Sequence, residues 1–494
     1  MRAYISVSDK ENIEILAKKL TDKNCEIVAT GHSAKYLQEK GFKVTESSTI
    51  TGFNELLEGK VKSLHPEIFA SILADETERA KENIKGFDIV VIDLYPFEKY
   101  LNKDVELETL IQNIDIGGVA LLRAAAKNYQ NVTVISSKDD YEINLDEINE
   151  KKRQELALKA FNRVIGYDSA IISKLSKQFN LEQDFKTLNL KKIQNLRYGE
   201  NPHQKAALYH YDKELDWELL GGKELSYNNI IDTSSALEIT AEFFDVAACV
   251  IVKHTNPCAV ALSSDIESAF DKALDSDPIS PFGGIVSFSQ KVEFSLAKKL
   301  NAMFLEVVIA PDFEDSALEE LKKKKNLRII KLNTPLKELL NFQNEEVKLT
   351  PFGALVQEKN KKNLDVETFK VITKKKPQQQ EVEDMIFAYK VVKHVKSNAI
   401  VVAKDLRTLG ICGGQTSRVA SVEIALQKVC DSPKGSVLAS DGFFPAIDNI
   451  QVAAQNRVSA IIQPAGSIKD KDVIACADKL GLSMIATGIR HFKH

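Results

Sequence analysis

The stretch that decides the fold of the first part of the chain is FDIVVIDL, at Phe87–Leu94. Its apolar, β-branched run, Ile89–Ile92, is typical of a central parallel strand that is buried on both faces. Shorter runs at Ala3–Ser6, Cys25–Ala29 and Val132–Ser136 are predicted as further strands, and the apolar period of Glu11–Leu20 is helical. This alternation predicts an α/β fold in which helices cover a parallel sheet.

A chain of 494 residues is too long for one ordinary hydrophobic core. Glu155–Gln178 is predicted as helix that closes the first domain, and the polar stretch Asn180–Lys192 is predicted as a linker. The proline-containing stretch Lys374–Gln380 indicates a further boundary. We therefore expect three domains, at residues 1–190, 191–365 and 366–494.

The composition excludes several classes of protein. Hydrophobic residues make up 44% and charged residues 28%, with a net charge of -4 and no basic stripe, which argues against nucleic acid as the main partner. The N-terminus is too polar for a signal peptide, and no apolar run reaches the roughly 18 residues that span a membrane. The six cysteines lie far apart without C-x-x-C spacing. We expect a cytoplasmic protein without a membrane partner, a disulfide framework or a structural zinc site.

Three turns in the first domain combine hydroxyls and cations. They lie at Ser6–Lys10, Thr30–Ser33 and Lys60–Pro66. Where a strand leads into a helix, free N–H groups and the helix dipole favour an anion. Each turn alone is as well explained by ordinary helix capping. Together they indicate a phosphate cradle at the carboxyl edge of the sheet.

Asp115–Val119 is a tight turn before a helix, because it contains Gly117 and Gly118. Arg123 and Lys127 follow four residues apart and share a helix face. A carboxylate and an ammonium near one substrate can stabilise charge during a condensation. The alternative is a helix entry with a solvated basic face.

In the second region, the buried-strand pattern Val250–Val252 leads directly into Lys253–Cys258, KHTNPC. Chemistry in α/β enzymes is often placed at the carboxyl ends of strands. An isolated Lys-His pair is more commonly a surface lysine beside a capping histidine. The Pro-Cys pair raises the possibility of a zinc deaminase, but H-x-E and P-C-x-x-C are absent, so we predict no catalytic metal.

Further polar stretches combine glycine turns, amides, cations and aromatic rings. Phe443 or Phe444 is able to stack on a flat heterocycle, although such a pair is more often core. The motifs are RYGENPHQ (197–204), ELSYNN (224–229), VKHTNPC (252–258), KSNAIV (396–401), GGQTSR (413–418) and SDGFFP (440–445).

In this order, from Tyr4 to the last residue, these motifs resemble the bifunctional purine-biosynthesis family, in which AICAR transformylase is joined to IMP cyclohydrolase. The resemblance implies a methylglyoxal-synthase-like first domain with the cyclohydrolase. It also implies two cytidine-deaminase-like α/β subdomains that carry the transformylase without zinc. The implied co-substrate is 10-formyltetrahydrofolate, with no metal and no ATP. The family forms homodimers with transformylase sites built across the interface.

The resemblance also implies site residues. For the transformylase, Lys253 and His254 match the catalytic pair, and Asn398 matches an orienting amide. For the cyclohydrolase, Lys127 matches the active-site lysine, with Asp115, Tyr95 and Lys62 beside it. The implied substrate-binding residues are Ser8, Lys10, Thr30, Gly31, Ser33, Lys60, Ser63, Asp93, Arg197, Tyr198, His203, Gly283, Arg418 and Arg490. The implied folate-binding residues are Phe443, Asp448 and Gly466.

Several positions depart from the family pattern. His32, Lys60 and Asp93 all fall in the cyclohydrolase cradle, where Gly, Arg and Asn are usual. Milder departures are Ser33, Ser63, Val119, Ala259 and Ala465. Two alternatives therefore stay open: a transformylase with weakened ring closure, and a nucleotide-binding regulator without catalysis.

Overall fold

The computed structural model describes residues 1–53, 61–182, 184–188, 190–211, 214–362, 364–429 and 434–494. The chain divides into two compact units, Met1–Asn189 and Leu190–His494. The predicted cradle residue Lys60 lies outside the described residues. Among the described helices, none is long and apolar enough to cross a membrane.

The first unit is built on a five-stranded, fully parallel sheet in the order β3-β2-β1-β4-β5. The strands are β1 Arg2–Val7, β2 Glu26–Ala29, β3 Val44–Glu46, β4 Ile89–Asp93 and β5 Thr133–Ile135. The central strand β4 is the one that FDIVVIDL predicts, and its apolar side chains are buried. The predicted α/β parallel sheet is confirmed.

Helices cover both faces of this sheet, with separate apolar clusters on the two sides. They are α1 Ile13–Asp22, α2 Gly31–Glu39, α3 Ser47–Thr51, α4 Pro66–Leu73, α5 Glu76–Glu82, α6 Leu107–Gln112, α7 Gly117–Lys127 and α8 Glu150–Phe179. The chain order reverses between β1 and β4, so a crevice opens there at the carboxyl ends of the strands. Val7 lies opposite Asp93 at this crevice.

The second unit contains one twelve-stranded mixed sheet, in the order β16-β21-β20-β19-β17-β18-β10-β9-β11-β12-β13-β8. Its strands are β8 Trp217–Gly221, β9 Ala247–Lys253, β10 Asn256–Ser263, β11 Ile285–Phe288, β12 Val307–Ala310, β13 Arg328–Leu332, β16 Lys370–Val371, β17 Ile400–Lys404, β18 Arg407–Cys412, β19 Val437–Ser440, β20 Ala460–Gln463 and β21 Ser483–Ala486. The antiparallel pair β10 and β18 joins the two halves of the unit.

Helices pack on both faces of the large sheet. They are α9 Tyr227–Ala241, α10 Ile266–Ser276, α11 Phe294–Asn301, α12 Asp315–Lys322, α13 Leu336–Leu339, α14 Gln379–Val392, α15 Arg418–Gln427, α16 Asp448–Gln455 and α17 Asp470–Lys479. One apolar cluster, which includes α9 and α14, runs through both halves. The opposite face has a separate cluster for each half.

Two hairpins of the second unit stand apart from the large sheet. They consist of β6 Leu190–Leu196 with β7 Ala206–Tyr211, and of β14 Glu345–Thr350 with β15 Gly353–Glu358. Leu349 and Phe352 are largely exposed at the second hairpin. Because β6 begins at Leu190, the predicted linker Asn180–Lys192 is too long by three residues: the last three already pair with β7.

Candidate active sites

The crevice of the first unit contains two half-buried carboxyl groups. Asp93 accepts a hydrogen bond at Oδ2 from the Asp9 N–H (2.9 Å), and burial raises its pKa above the usual value. Asp115 accepts at Oδ1 from the Gly118 N–H (2.7 Å), and burial raises its pKa as well. Carboxyl groups with raised pKa values in a crevice are typical of functional sites.

Two cations lie close to these carboxyl groups. Burial, and then the charge of Lys62, lowers the pKa of Lys10, whereas Lys62 opposes the rise in the pKa of Asp115. Lys62 is therefore near enough to act electrostatically on both groups. The Lys10 ammonium donates to the Ser8 carbonyl (2.9 Å), which fixes it at the end of β1.

Gly117 allows the loop around Lys62 to approach the start of α7. A Cβ atom at Gly117 would lie 2.6 Å from Ser63 Oγ, which is closer than carbon and oxygen can pack. The Tyr95 N–H points to Asp115 Oδ2 (3.4 Å), so Tyr95 also adjoins this carboxyl group. The predicted neighbours Lys62, Ser63, Tyr95 and Asp115 are thus brought together.

Two predicted hydroxyl ligands are used inside the fold. Ser33 Oγ accepts from the Val7 N–H and donates to the Val7 carbonyl, both at 3.1 Å. Thr30 Oγ1 donates to Ser6 Oγ at 3.0 Å. Both side chains are buried. A ligand at the Thr30–Gly31 turn would therefore meet the first N–H groups of α2, which include Gly31, rather than these hydroxyls.

Lys127 is not brought to this cluster by any described contact. It is exposed in the last turn of α7, whereas Asp115 lies just before the first turn. Eleven helical residues span about 16 Å, so the two ends of α7 are well separated. Sequence reasoning missed Tyr167, whose hydroxyl accepts from the Asp115 N–H (2.8 Å), because a buried tyrosine in a long helix carries no motif.

In the second unit, Lys253 and His254 lie at a tight hairpin between β9 and β10. Lys253 pairs with Asn256, so the two-residue turn consists of His254 and Thr255. Asn256 and Pro257 lie outside this turn, because they already begin β10. The Lys253 ammonium donates to the Phe282 carbonyl (2.8 Å), next to Gly283, which has a φ of +74°.

Strand register places the other motifs of the second unit at the same edge of the sheet. Ile400 lies opposite both Cys412 and Ser440, and Ile285 lies opposite Val252. The edge that carries His254 therefore also carries the residues that flank these strands. They include Gly283, Asn398, Phe443, Gly466 and Arg490.

Arg418, Asp441 and Asn398 form a buried polar cluster at this edge. The Arg418 guanidinium donates to Asp441 Oδ1 (2.5 Å), Ser440 Oγ (2.7 Å) and Asn398 Oδ1 (2.7 Å). Asn398 Nδ2 donates to the Gln415 carbonyl (3.0 Å), so both ends of the amide have partners. Asp441 is fully buried. Ser440 and Asp441 belong to the SDGFFP stretch, which does not by itself predict their bonds to Arg418.

The C-terminal segment packs against this cluster. The His491 N–H donates to the Asp441 carbonyl (3.0 Å), and the Ser397 N–H donates to the Lys493 carbonyl (2.9 Å). The Arg490 guanidinium lies 4.4 Å from the centre of the Phe492 ring. Phe443 is partly exposed and Phe444 is buried, so only Phe443 is available to stack on a ligand. Asp448 begins α16 and is exposed, as is Gly466.

Two further predicted motifs meet at the start of α9. Arg197, Tyr198 and His203 lie in the loop between β6 and β7. The Arg197 guanidinium is 5.6 Å from the Tyr198 ring centre. Asn228 Nδ2 donates to the Glu200 carbonyl (3.3 Å), which holds the loop to α9. Among the described residues, no group of three or more His, Cys, Asp or Glu side chains could hold a metal ion.

Comparison with known proteins identifies two matching family models. Residues 125–428 match the AICARFT/IMPCHase bienzyme family, and residues 12–120 match the MGS-like domain. The second match confirms the methylglyoxal-synthase-like prediction for the first unit.

Curated relatives match over the whole chain. The bifunctional purine biosynthesis protein PurH of Aquifex aeolicus is 45% identical and covers 100% of both chains. The PurH proteins of a Thermoanaerobacter species and of Caldicellulosiruptor bescii are 49% and 47% identical, covering 100% of this chain and 99% of their own. A solved structure described as that of ForH is 32% identical over 35% of this chain and 98% of its own, with a TM-score of 0.32.

Proposed function

The chain belongs to the AICARFT/IMPCHase bienzyme family, and from that premise we propose which residues carry out each of its two reactions. The enzyme transfers a formyl group from a folate-type donor to AICAR and closes the product FAICAR to IMP. We assign formyl transfer to the second unit and ring closure to the first.

The formyl transfer is proposed to centre on His254. The 5-amino group of AICAR is a weak nucleophile, because its lone pair is delocalised into the imidazole ring. His254 takes a proton from this amine as it attacks the formyl carbon, and the carbon–nitrogen bond to the folate then breaks. Lys253 stabilises the negative charge that develops on the formyl oxygen or on the departing nitrogen. The observation that carries this assignment is the tight turn that presents His254 beside Lys253 at a strand end.

The donor is proposed to be 10-formyltetrahydrofolate, without a metal or ATP. Phe443 is exposed enough to stack on a flat ring. Phe443 and Asp448 follow β19, and Gly466 follows the neighbouring strand β20 at the same sheet edge. We assign Gly283, Arg197, Tyr198, His203 and Arg490 to the nucleotide. Arg418 is engaged by Asp441, so its proposed contribution to AICAR binding includes holding Asn398 in place.

Ring closure is proposed to use Lys127, Asp115, Tyr95 and Lys62. The carboxamide nitrogen of FAICAR attacks its formyl carbon, and water leaves, so the site supplies orientation and a partner for the oxyanion. Ser8, Lys10, Gly31, Ser63 and Asp93 line the crevice for the phosphate and sugar. Thr30 and Ser33 are proposed to act by shaping its turns.

We also propose a homodimer. Asn398 and His254 share a sheet edge, but between two and three strand spacings separate them, which is about 10–14 Å. One nucleotide would have difficulty reaching both clusters within one chain, and a second copy can bring the missing one. The exposed apolar side chains on the hairpin of β14 and β15 offer a surface for such a partner.

The remaining assignments concern domains and location. Separate apolar clusters on one face of the large sheet support 191–365 and 366–494 as the two cytidine-deaminase-like subdomains, after a first domain at 1–190. The described cysteines are unpaired thiols, which supports a cytoplasmic enzyme. We propose no nucleic-acid or membrane partner.

The division of labour is testable with three variants of the full chain. We expect His254→Ala to slow formyl transfer by about 10²–10⁴-fold and to leave the closure of supplied FAICAR unchanged. Lys127→Ala should slow the closure of supplied FAICAR and leave formyl transfer unchanged. Lys62→Ala tests the second lysine of the proposed ring-closure site, at the Asp115 end of α7, and should also slow ring closure. The proposal fails if either single change slows both reactions equally, and Lys127 loses its role if only Lys62→Ala slows ring closure.

A further inference from the structure

The turn that presents His254 has an unusual backbone. His254 has a φ of 54° and Thr255 a φ of 63°, so two consecutive residues other than glycine occupy the left-handed region. This conformation suits a two-residue hairpin, because its twist matches that of the flanking strands. It is unfavourable for a β-branched residue such as threonine. Such backbone strain persists only where the surrounding structure enforces it.

A carboxylate from another element enforces this turn. The Thr255 N–H donates to Asp232 Oδ1 at 2.7 Å. Asp232 lies in the middle of α9 and is half-buried. A bond from a backbone N–H to a carboxylate is stronger than one to a neutral acceptor. The turn is therefore anchored to a long helix that packs beneath the sheet.

The contacts within the turn leave it dependent on this anchor. Thr255 Oγ1 (2.7 Å) and Asn256 Nδ2 (2.8 Å) both donate to the His254 carbonyl. These two bonds close the turn on itself but tie it to no other element. Asn228, four residues before Asp232, holds the loop of Arg197 and Tyr198 against the same helix face. One face of α9 thus supports both the turn and the proposed nucleotide loop.

We propose that Asp232 is a positioning residue for formyl transfer. Its carboxylate holds the Thr255 N–H, which keeps His254 in the left-handed conformation and fixes the direction of the imidazole. Asp232 touches neither the substrate nor the formyl donor. The inference rests on the proposed role of His254 as the base. A displacement of a reacting group by about 1 Å can cost about 10²-fold in rate, so this contact affects turnover rather than substrate binding.

The test measures both reactions in Asp232→Ala, Asp232→Asn and Ser234→Ala. We expect Asp232→Ala to lower kcat for formyl transfer by about 10- to 100-fold, with little change in either KM. Asp232→Asn keeps an oxygen acceptor and should recover most of the rate. Ser234 is exposed on the same helix, and its hydroxyl donates to the Ile230 carbonyl within that helix (2.7 Å), so Ser234→Ala is the matched control. Closure of supplied FAICAR should be unchanged in all three.

A second variant separates positioning from general stability. Glycine adopts positive φ without steric cost, so Thr255→Gly reduces the need for the anchor. In the Thr255→Gly background, Asp232→Ala should lower kcat by a smaller factor than in the wild type. The proposal is overturned if Asp232→Ala turns over normally, if it slows both reactions together, or if Thr255→Gly leaves its effect unchanged. If His254→Ala itself retains formyl transfer, the proposed function has failed instead.

Discussion

Two carboxyl groups, the half-buried Asp93 and the fully buried Asp441, lie at the carboxyl ends of strands in the two units but have different partners. Asp93 ends β4 and accepts a backbone N–H, and burial raises its pKa. Asp441 follows β19 and binds the Arg418 guanidinium, which in turn holds Asn398. Within the part of the chain that the structure describes, Asp93 forms no ion pair, whereas Asp441 belongs to a neutralised network. The difference indicates that the second site is preorganised by its own ion pair, whereas the Asp93 carboxyl group is held by a backbone N–H and by burial.

The largest expected effect comes from breaking the network of the second unit. Asp441→Asn leaves the buried Arg418 charge without its partner, and we expect the free energy of unfolding of that unit to fall by about 3–5 kcal/mol. Hydrogen exchange of peptides from each unit measures this separately. Asp93→Asn is the matched control and should not destabilise the first unit. If Asp441→Asn and Asp93→Asn lowered the free energies of unfolding of their units equally, the proposed difference between the two sites would be wrong.

The second-largest expected effect is a difference between the two units in how acidification changes their stability. Burial, and then the charge of Lys393, lowers the pKa of His491 from 6.5 to about 4. The unfolded chain therefore binds this proton near pH 6.5 and the folded chain only near pH 4. The stabilisation is present above pH 6.5 and is lost as the pH falls, by about 2 kcal/mol between pH 7 and pH 5.

The first unit should respond in the opposite sense. The pKa values of Asp93 and Asp115 are raised, so their contribution to stability is greatest at low pH and is lost as the pH rises. Hydrogen exchange at pH 7 and pH 5, corrected for the intrinsic exchange rate, compares the two units. His491→Gln should abolish much of the fall in the free energy of unfolding of the second unit between pH 7 and pH 5. If the fall is as large in the variant, it arises from other groups such as His394.

The smallest expected effect concerns ring closure. Asp93 places a negative charge in a crevice proposed to bind a phosphate, and we expect Asp93→Asn to lower KM for FAICAR by about fivefold, since about 1 kcal/mol of repulsion is removed. The amide oxygen can still accept from the Asp9 N–H. Lowering the salt concentration should enlarge the difference between the variants. An unchanged KM would show that Asp93 does not weaken ring closure.

Short-range patterns account for what the sequence predicts correctly. FDIVVIDL identifies the central strand, and VKHTNPC identifies the strand end that carries Lys253 and His254. Asp232 and Asp441 could not be predicted as supports, because neither belongs to a pattern with the group that it holds. Their importance depends on register and packing between distant segments. The same holds for the assignment of Thr30 and Ser33, whose hydroxyls look available in the sequence and are buried in the fold.

The junction of β10 and β18 has a consequence for how the second unit can be cut. The two strands come from different halves of the unit, and Ala261 pairs with Arg407. The Leu262 N–H donates to the Leu406 carbonyl (2.9 Å), and the Val260 N–H donates to Thr408 Oγ1 (3.0 Å). Fragments separated between residues 365 and 366 would each expose one of these strands as a new edge, with unpaired N–H and carbonyl groups. Such edges are templates for pairing, so co-expressed fragments should reassemble with each other, whereas either fragment alone should aggregate.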